Sequence, residues 1–313
     1  MIFKKIRRGH VDWRNFLCST PARDYVFQKE EYVSQLDRAV EYIRKADSII
    51  VGAGAGASTA AGIQYGGKRF TDNFGEFIEK YGVHYMTDMY AAGFYPYPSE
   101  EAKWGYWSKH ALMNRFDPPA LPLYTKLYDI VKSKEYFVLT TNVDHQFYKA
   151  GFDEKRIFAT QGDYGKIQCQ KACHPKTYDA EDLFRKMHEA RKDCLIPSEL
   201  VPKCPVCGGN MVMNLRCDNY FIEDEAWYEA ADRYADFLEQ NKDKKVVLLE
   251  LGVGFNTPII IRFPFEKMVR ENPSYSLIRL NMDEAVVPES FGERAIGIGG
   301  DMAKVITDIR GLV

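Results

Sequence analysis

A short apolar run followed by alternating glycines decides the fold, because residues 49–62 read IIVGAGAGASTAAG. Three β-branched residues favour a fully buried strand, and the small residues after it let backbone N–H groups approach a ligand closely. A helix that begins near Ser58 would direct its positive end at a phosphate. The spacing differs from G-x-G-x-x-G, and the Lys-Ser/Thr pair of a nucleoside-triphosphate loop is missing. The stretch therefore fits a phosphate-binding turn, and it also fits an ordinary tight turn of an α/β protein.

Outward from this stretch, apolar runs alternate with amphipathic segments, which predicts a parallel sheet covered by helices. Further strands are predicted at residues 136–140 and 245–251. Further helices are predicted at residues 30–45, 121–132 and 222–240. Pro258 is expected at the start of another helix. The helix at residues 30–45 has an apolar face, interpreted as core packing, that consists of Val33, Leu36, Val40 and Ile43.

Length and composition indicate a folded cytoplasmic protein. The chain has 313 residues, 46% of them hydrophobic, which suffices for a sizeable core in one large or two smaller domains. A net charge of −2 gives no general reason to bind nucleic acid or an anionic membrane. A basic cluster, interpreted as solvated surface, consists of Lys4, Lys5, Arg7 and Arg8. The cluster is not followed by an apolar run, so no signal peptide is expected. No stretch of the sequence reaches the length of a membrane span, so no transmembrane helix is expected either.

Two close cysteine pairs predict a metal site. Four of the seven cysteines form the pairs Cys169/Cys173 and Cys204/Cys207, and a helix is predicted between the pairs at residues 180–191. In a reducing compartment such pairs favour tetrahedral zinc over disulfides, and four protein ligands leave no open position, so the zinc should be structural. His174 is interpreted as a bystander. The other cysteines, interpreted as free thiols, are Cys18, Cys194 and Cys217.

Residues 74–116 are rich in aromatic side chains, and Pro96 and Pro98 interrupt the predicted helical segments. Such a cluster can line a groove for an acyl chain or a peptide, but aromatic residues at these spacings more often fill a core. Both interpretations stay open from the sequence.

The residues after the strand at 136–140 are candidates for a ligand pocket, since ligands of parallel sheets bind beyond the carboxyl ends of the strands. Asn142 offers a donor and an acceptor for a ribose hydroxyl, and Asp144 can accept from a second donor. Alternatively, Asp144 caps a helix that extends through Lys149.

Four motifs, in order, resemble those of the sirtuin family. Residues 52–63 (GAGAGASTAAGI) are similar to its NAD-binding opening, residues 140–144 (TTNVD) to its Thr-Gln-Asn-Ile-Asp motif, and residues 252–258 (GVGFNTP) to its Gly-Thr-Ser turn. The two cysteine pairs lie between the last two of these stretches. At residues 63–70 the match to the loop that covers the cofactor is partial, although two adjacent glycines suit a mobile lid.

Gln161-Gly162 departs from the pattern of the deacylating sirtuins, which carry a catalytic His-Gly pair there. With its long insertions, the chain is more similar to the macrodomain-linked, class M bacterial sirtuins than to the deacylases. The resemblance covers roughly residues 39–309, which is nearly the whole chain.

The resemblance implies a doubly wound, Rossmann-like α/β domain at residues 1–165 and 218–313, with a helical insertion at about residues 71–120 and a zinc module at residues 166–217. The cofactor is expected in the crevice between them. Implied catalytic residues are Asn142, Asp144 and Gln161. Implied NAD contacts are Gly52, Ala53, Gly54, Ala57, Ser58, Gln64, Thr141, Asn142, Asp144, Gln161, Gly252, Val253, Gly254, Asn256, Asn281, Met282 and Asp301.

The activity implied by the resemblance is cleavage of the nicotinamide–ribose bond of NAD and transfer of ADP-ribose to a protein side chain. Class M sirtuins act on lipoylated carrier proteins similar to the glycine-cleavage H protein and are associated with macrodomain hydrolases that remove the mark, so both are expected partners. A lipoate-attaching enzyme is a further candidate partner. The alternatives are a sirtuin protein-lysine deacylase with an altered base and an NAD-sensing binding module without turnover.

Gln161 favours transfer over deacylation, because deacylation needs a histidine to take a proton from a ribose hydroxyl and a glutamine amide is not basic near neutral pH. Departure of nicotinamide needs orientation and charge stabilisation, which Asn142, Gln161 and the enclosing backbone can supply without a base. An ionised acceptor, such as a carboxylate, can then attack directly. Asp163 is either a substitute base or an exposed turn carboxylate. We therefore expect ADP-ribosyl transfer and almost no deacetylation.

Overall fold

A computed structural model describes residues 22–313 of the protein, so the basic cluster at residues 4–8 and Cys18 lie outside the described residues. In chain order the strands are β1 (Tyr25–Val26), β2 (Ser48–Ala53), β3 (Glu135–Thr140), β4 (Ile157–Ala159), β5 (Gly162–Cys169), β6 (Thr177–Asp179), β7 (Met211–Leu215), β8 (Val246–Leu251), β9 (Tyr275–Asn281), β10 (Val287–Pro288) and β11 (Ala295–Gly299).

The α-helices are α1 (Tyr32–Lys45), α2 (Ala55–Ala60), α3 (Gly67–Tyr81), α4 (Met89–Gly93), α5 (Glu100–Ala111), α6 (Pro122–Val131), α7 (Gln146–Lys149), α8 (Glu181–Ala190), α9 (Glu225–Asn241), α10 (Arg262–Glu271) and α11 (Met302–Leu312). A π-helical turn (Leu112–Phe116) continues α5. Short 3₁₀ turns occur at Ala22–Asp24, Glu154–Arg156, Ser198–Leu200 and Glu289–Arg294. Within residues 22–313, no helix is both long and apolar enough to cross a membrane.

A six-stranded parallel sheet forms the centre of the molecule, with the strand order β11-β9-β8-β2-β3-β4. The chain leaves β2 toward β3 on one side and later returns to β8 on the other, so β2 lies at the topological switch point. Ala53, at the end of β2, pairs with Thr140 of β3 and Leu251 of β8. The predicted doubly wound fold is confirmed, and three strand ends meet where ligands of such sheets bind.

Helices cover both faces of this sheet, which explains why β2 and β8 are buried along their whole length. On one face α1, α6 and α11 pack in a core that contains Ile43, Leu127 and Ile306. On the other face α9 and α10 pack around Tyr234 and Phe265. The apolar runs of the sequence are therefore strands with two buried faces.

The helical insertion and the cysteine-bearing segment share a second core. β5 pairs antiparallel with β6 and β7 in a separate three-stranded sheet. Phe74 of α3, Trp104 of α5 and Phe184 of α8 are buried in the same cluster as residues of this sheet. The aromatic-rich stretch thus mostly fills a core, and its large exposed exceptions are Tyr85, Tyr90 and Phe94.

The second sheet begins at Gly162 and ends at Leu215, close to the predicted zinc module at residues 166–217. The first helix of the insertion begins at Gly67, a few residues before the predicted start near 71. The division of the chain into these domains stays a prediction.

Two expectations at the start of helices are wrong. Val33 is 64% exposed, because Gln35 takes the buried position in the first turn of α1 and donates through its amide to the carbonyl of Gly297 (3.0 Å). The helix after the glycine turn begins at Ala55 rather than near Ser58, since Gly54 in extended conformation precedes its first turn.

The helix expected at Pro258 is also placed wrongly, since α10 begins at Arg262. The carbonyl of Pro258 accepts from the N–H of Phe263 (2.9 Å), which is a wider turn than an α-helix allows. The intervening residues form turns rather than helix.

Candidate active site

The glycine turn after β2 packs directly against the turn after β8. The N–H of Gly56 donates to the carbonyl of Gly252 (3.0 Å), and the N–H of Gly54 donates to the carbonyl of Leu251 (2.9 Å). A Cβ atom at Gly56 would lie 2.7 Å from Cα of Gly252, and Gly252 has a φ of 59°. The small residues therefore let two backbone turns touch, in addition to any role toward a ligand.

Asn142 and Asp144 lie beyond the end of β3 in a buried hydrogen-bond network. Nδ2 of Asn142 donates to the carbonyl of Gly54 (3.0 Å). Asp144 accepts from the hydroxyl of Ser58, whose oxygen also lies 3.1 Å from the hydroxyl oxygen of Tyr124. The network joins the strand-end motif to the glycine turn across the switch point.

Asp144 makes the hydrogen bond to the start of α7 that the capping alternative predicts, and a second bond to Ser58, while its contact with a cofactor stays a prediction. One oxygen accepts from Ser58, and the other accepts from the backbone N–H of Gln146 (3.1 Å) at the start of α7. Burial raises the pKa of Asp144 above its usual value, although the hydrogen bonds from Ser58 and Gln146 oppose the rise. Burial also raises the pKa of Tyr124, so its hydroxyl keeps its proton near neutral pH.

Gln161 lies half-buried in the turn between β4 of the central sheet and β5 of the second sheet. Its carbonyl accepts from the N–H of Arg216 (3.0 Å), and Nε of Arg216 approaches the carbonyl of Thr160 (3.4 Å). The residue therefore lies at the junction of the two sheets, beside a guanidinium group. Arg216 was not among the residues predicted from the sequence. Its position directly after an apolar strand could have indicated a site residue.

Asp163 is not the exposed turn carboxylate of the alternative prediction. It belongs to β5, and its side chain is only 17% exposed. Oδ1 accepts from Nε of Arg115 (2.9 Å) and from the N–H of Gly165 (2.6 Å), while Oδ2 lies 2.7 Å from Nδ1 of His145. Arg115 reaches this carboxylate from the π-helical turn, a feature that the sequence did not reveal.

The electrostatics of Asp163 argue against its use as a substitute base. Burial raises its pKa, but the hydrogen bond with His145 and the charge of Arg115 lower it by more, so the net pKa lies below the usual value. A carboxylate that is held ionised by two partners is a poor proton acceptor. Asp163 is better suited to orient its neighbours.

A small cleft opens beside these groups. Its lining includes Asn142, Asp144 and His145 from the segment after β3, together with Gly162 and Asp163 from β5. The motif after β3 and the residues that follow Gln161 thus face one common space. The cleft lies at the carboxyl ends of parallel strands, as expected for a ligand site of this fold.

The turn after β8 and the end of β9 form the other side of the switch point. Nδ2 of Asn281 donates to the carbonyl of Val253 (3.2 Å), and Nη1 of Arg262 donates to the same carbonyl (3.0 Å). Met282 is 60% exposed and Asn256 is exposed, so both border open space. The backbone of this turn is thus positioned by two polar side chains, of which Arg262 is fully buried and Asn281 half-buried.

Several predicted NAD contacts are brought together at the ends of β2, β3 and β8, namely Gly52, Ala53, Gly54, Ala57, Ser58, Thr141, Asn142, Asp144, Gly252, Val253 and Gly254. Asp301 caps α11 by accepting from the N–H of Ala303 (2.9 Å), and its contact with NAD stays a prediction. Gln64 is exposed, and its carbonyl accepts from Nη1 of Arg69 (2.9 Å), which also donates to Asn114 (2.8 Å). The expected lid segment is therefore attached to the helical insertion.

Cys169, Cys173, Cys204 and Cys207 converge as predicted. Their sulfur atoms all lie within 4.8 Å of one another, with 3.7 Å between Cys169 and Cys207 and 3.6 Å between Cys173 and Cys204. Zinc–sulfur bonds of about 2.3 Å in a tetrahedron give sulfur–sulfur edges of about 3.8 Å, so this donor set fits zinc. Nδ1 of His174 lies 3.1 Å from the sulfur of Cys173, beside the four-sulfur set. Four thiolates would leave no open coordination position, so the metal would be structural.

A buried charge cluster escaped the sequence prediction. Arg279 donates to Glu250 through Nε (2.6 Å) and Nη2 (2.9 Å), and Nη2 also donates to Glu266 (2.9 Å). The guanidinium of Arg262 lies 3.8 Å from the ring centroid of Phe255 in the turn after β8. The signals in the sequence were Glu250 and Arg279, each inside the apolar run of a strand.

The doubly wound fold of this chain is shared by solved Sir2 proteins. A Sir2 homologue solved in complex with NAD superposes with a TM-score of 0.56 at 16% identity, over 94% of this chain and 100% of that chain. Sir2Tm bound to a propionylated peptide gives 0.52 at 16% identity, over 89% and 99%.

Relatives in sequence narrow the class. A protein ADP-ribosyltransferase of Staphylococcus aureus is 38% identical over 279 residues, which are 89% of this chain and 88% of the relative. A probable bifunctional ADP-ribose hydrolase/ADP-ribosyltransferase of Fusarium oxysporum f. sp. cubense is 31% identical over 287 residues, which are 87% of this chain and 47% of the relative. No family model matches the chain. The chain belongs to the protein ADP-ribosyltransferases, and it has the fold of the Sir2 proteins.

Proposed function

We propose that the chain transfers ADP-ribose from NAD to a side chain of a lipoylated carrier protein similar to the glycine-cleavage H protein. The observation that carries the proposal is Gln161 at the junction of β4 and β5, where the family resemblance puts the histidine base of the deacylases. An amide cannot take a proton from a ribose hydroxyl, so the deacylation route lacks its base. Membership of the ADP-ribosyltransferase family supports the alternative outcome, which is transfer.

The residues present fit NAD as co-substrate. Ser58, Asn142 and Asp144 place hydroxyl, amide and carboxyl groups together at the switch point, where ribose hydroxyls and the nicotinamide amide would find partners. The turns after β2 and β8 offer backbone without bulky side chains for the pyrophosphate. Asn281 and Met282, at the end of β9, would border the adenosine.

The reaction needs orientation and electrostatic stabilisation more than proton transfer. When the nicotinamide–ribose bond breaks, its electron pair leaves with nicotinamide and positive charge develops on the ribose. Asn142 and Gln161 would orient the sugar, and Asp144 would place negative charge near it. An acceptor that is already ionised, such as a carboxylate, then forms the new bond without a base.

The carrier remains a proposal that two features support. The sequence resembles the class of sirtuins that modify lipoylated carriers. The insertion also exposes large apolar side chains, with Val83, Tyr85 and Tyr90 each about two-thirds exposed, which suits contact with an apolar prosthetic arm.

A hydrolase that removes the mark is the second proposed partner. The name of the Fusarium relative combines an ADP-ribose hydrolase with an ADP-ribosyltransferase in one protein, of which this chain covers 47%. A lipoate-attaching enzyme is a further proposed partner, because it would prepare the carrier. We place these reactions in the cytoplasm, since a cluster of four metal-binding thiols needs reduced cysteines.

The test is nicotinamide release and label transfer from labelled NAD, with and without the lipoylated carrier. We expect transfer to the carrier, and a loss of about a hundredfold in Gln161→Ala, as when one positioned donor is removed from an active site. Gln170→Ala is the matched control, because Gln170 is an exposed glutamine after β5, and it should behave like the parent.

Two outcomes would overturn the proposal. Efficient NAD-dependent deacetylation of acetyl-lysine peptides by the parent would show that the chain is a deacylase. Binding of NAD without nicotinamide release, whether or not the carrier is present, would show that it is a binding module.

A further inference from the structure

An imidazole that the proposed transfer does not use lines the same cleft as Asn142 and Asp144. His145 follows this motif directly and adopts a left-handed conformation with a φ of 65°. Its ring stacks on that of Tyr148, with 4.0 Å between the centroids and 12° between the planes. The backbone conformation and the stacking together fix where the imidazole points.

A chain of polar contacts determines how this imidazole is protonated. Asp163 is held by Arg115 (2.9 Å) and by the N–H of Gly165 (2.6 Å), and its remaining oxygen lies 2.7 Å from Nδ1 of His145. Because Arg115 and His145 keep Asp163 ionised, its oxygen accepts and Nδ1 of His145 donates. In the neutral imidazole, Nε2 then carries the free lone pair.

The remaining nitrogen is accessible from solvent. The side chain of His145 is 24% exposed, whereas Asp163 behind it is 17% exposed. The arrangement matches the geometry in which a carboxylate orients a histidine as a general base. An acceptor that is already ionised can attack without such a base. A neutral nucleophile, such as water, needs the base to remove its proton.

We propose that His145, oriented by Asp163, deprotonates a water molecule in the cleft, which gives the protein a second activity, the hydrolysis of NAD when no carrier is bound. The inference rests on the proposed function only for the binding of NAD and the departure of nicotinamide. His145 acts on the reacting water, and Asp163 is a positioning residue.

The step balances without a further reactant. The nicotinamide–ribose bond breaks, and its electron pair leaves with nicotinamide. The water oxygen forms the new bond to the ribose carbon, and one water proton passes to Nε2 of His145 and from there to solvent. The products are ADP-ribose, nicotinamide and one proton.

The pH dependence follows from the groups around the imidazole. Asp163 faces it from β5 with Arg115 behind, Tyr148 stacks on it from α7, and Asp144 precedes it in the chain. Hydrolysis needs the free lone pair of Nε2, so a protonated imidazole would not support the step.

The experiment measures nicotinamide release from NAD alone by the purified full chain and its variants. His145→Asn is the main variant, because asparagine tolerates the left-handed conformation but is not basic. We expect its hydrolysis rate to fall at least about a hundredfold, with NAD binding by calorimetry and thermal unfolding close to the parent. Asp163→Asn should also lower the rate, and it should change the pH profile, which a merely structural role would leave unchanged. His188→Gln, on the exposed face of α8, is the matched control and should hydrolyse NAD like the parent.

Hydrolysis by His145→Asn within about twofold of the parent, with an unchanged pH profile, would overturn the inference. A parent that transfers ADP-ribose to the carrier but releases no nicotinamide from NAD alone would also overturn it, while leaving the proposed function intact. A parent that hydrolyses NAD through His145 but modifies no carrier would support this inference and contradict the proposed acceptor.

Discussion

Removal of the Arg279 guanidinium should destabilise the protein strongly, because two buried carboxylates depend on it. Arg279 and Glu250 are fully buried and Glu266 is 1% exposed. In Arg279→Met, Glu250 loses two hydrogen bonds of 2.6 and 2.9 Å, while Glu266 keeps the hydroxyl of Tyr25 (2.7 Å). Removal of one partner from a buried ion pair costs about 3–5 kcal/mol of unfolding free energy. Because Glu250 would stay buried without a charged partner, we expect Arg279→Met to lose about that much.

A double variant separates the loss of the ion-pair attraction from the cost of leaving the Glu250 carboxylate buried without a partner. Replacement of a buried pair by apolar residues is often neutral, so Glu250→Leu combined with Arg279→Met should be more stable than Arg279→Met alone. Arg310→Met removes an exposed guanidinium that pairs with Asp129 (2.7 Å), and it should cost less than about 1 kcal/mol.

The assay is urea unfolding at pH 7, followed by near-UV circular dichroism at constant zinc. Because Nη1 of Arg279 also donates to the carbonyl of Val286 (2.6 Å), in the segment after Asn281, Arg279→Met should weaken NAD binding as well. The reasoning is refuted if Arg279→Met unfolds within about 1 kcal/mol of the parent, or if the double variant is no more stable than the single one.

Three further predictions concern the metal, the pocket and acid stability. Purified protein should contain one zinc per chain, and removal of the zinc should unfold the second core, since such metals supply roughly 10 kcal/mol or more of folding free energy. Metal analysis that finds no zinc, or full zinc occupancy in Cys204→Ala, would contradict this prediction. Cys217→Ala is the control. Asn142→Ala removes the donor to Gly54 (3.0 Å), so NAD binding by calorimetry should weaken about tenfold to a hundredfold; parental binding and turnover would remove the main support for the pocket. The pKa of Asp163 is lower in the folded than in the unfolded protein. Its ionised form therefore stabilises the fold at pH values above the unfolded pKa of about 3.9, and this stabilisation is lost as the pH falls through the lower, folded pKa. Asp163→Asn should accordingly make the free energy of unfolding depend less on pH in this acidic range.

The site shows how one scaffold can favour different chemistries. The switch point supplies a buried carboxyl, an amide and two glycine turns, which we propose to bind and orient NAD. The outcome then depends on the junction between the central sheet and the second sheet. There Gln161 takes the place of a base, and His145 with Asp163 forms a separate pair that faces the cleft.

The sequence by itself determined the central sheet, the glycine turn and the four cysteines of the candidate zinc site. Each is a local signal, since buried parallel strands are continuous apolar runs and paired thiols need only a short turn between them. Gly54 and Gly56 marked a close backbone approach, although the sequence could not show that the approaching backbone belongs to Gly252. The strand ends that position Asn142 and Asp144 followed from the same pattern.

The tertiary structure alone decided the polar partnerships. Arg115, His145 and Asp163 come from a π-helical turn, a left-handed residue and a strand, and no spacing in the sequence brings them together. From the sequence, Asp163 was predicted to be an exposed turn residue. It is buried because it pairs with the guanidinium of Arg115, 48 positions away along the chain, which the local sequence does not show. Arg279 and Glu250 likewise lie in apolar strands, where a charge is tolerated only because its partner is on the neighbouring strand. Hydrophobic periodicity reports which face of an element is buried, whereas the pairing of buried charges depends on which elements become neighbours.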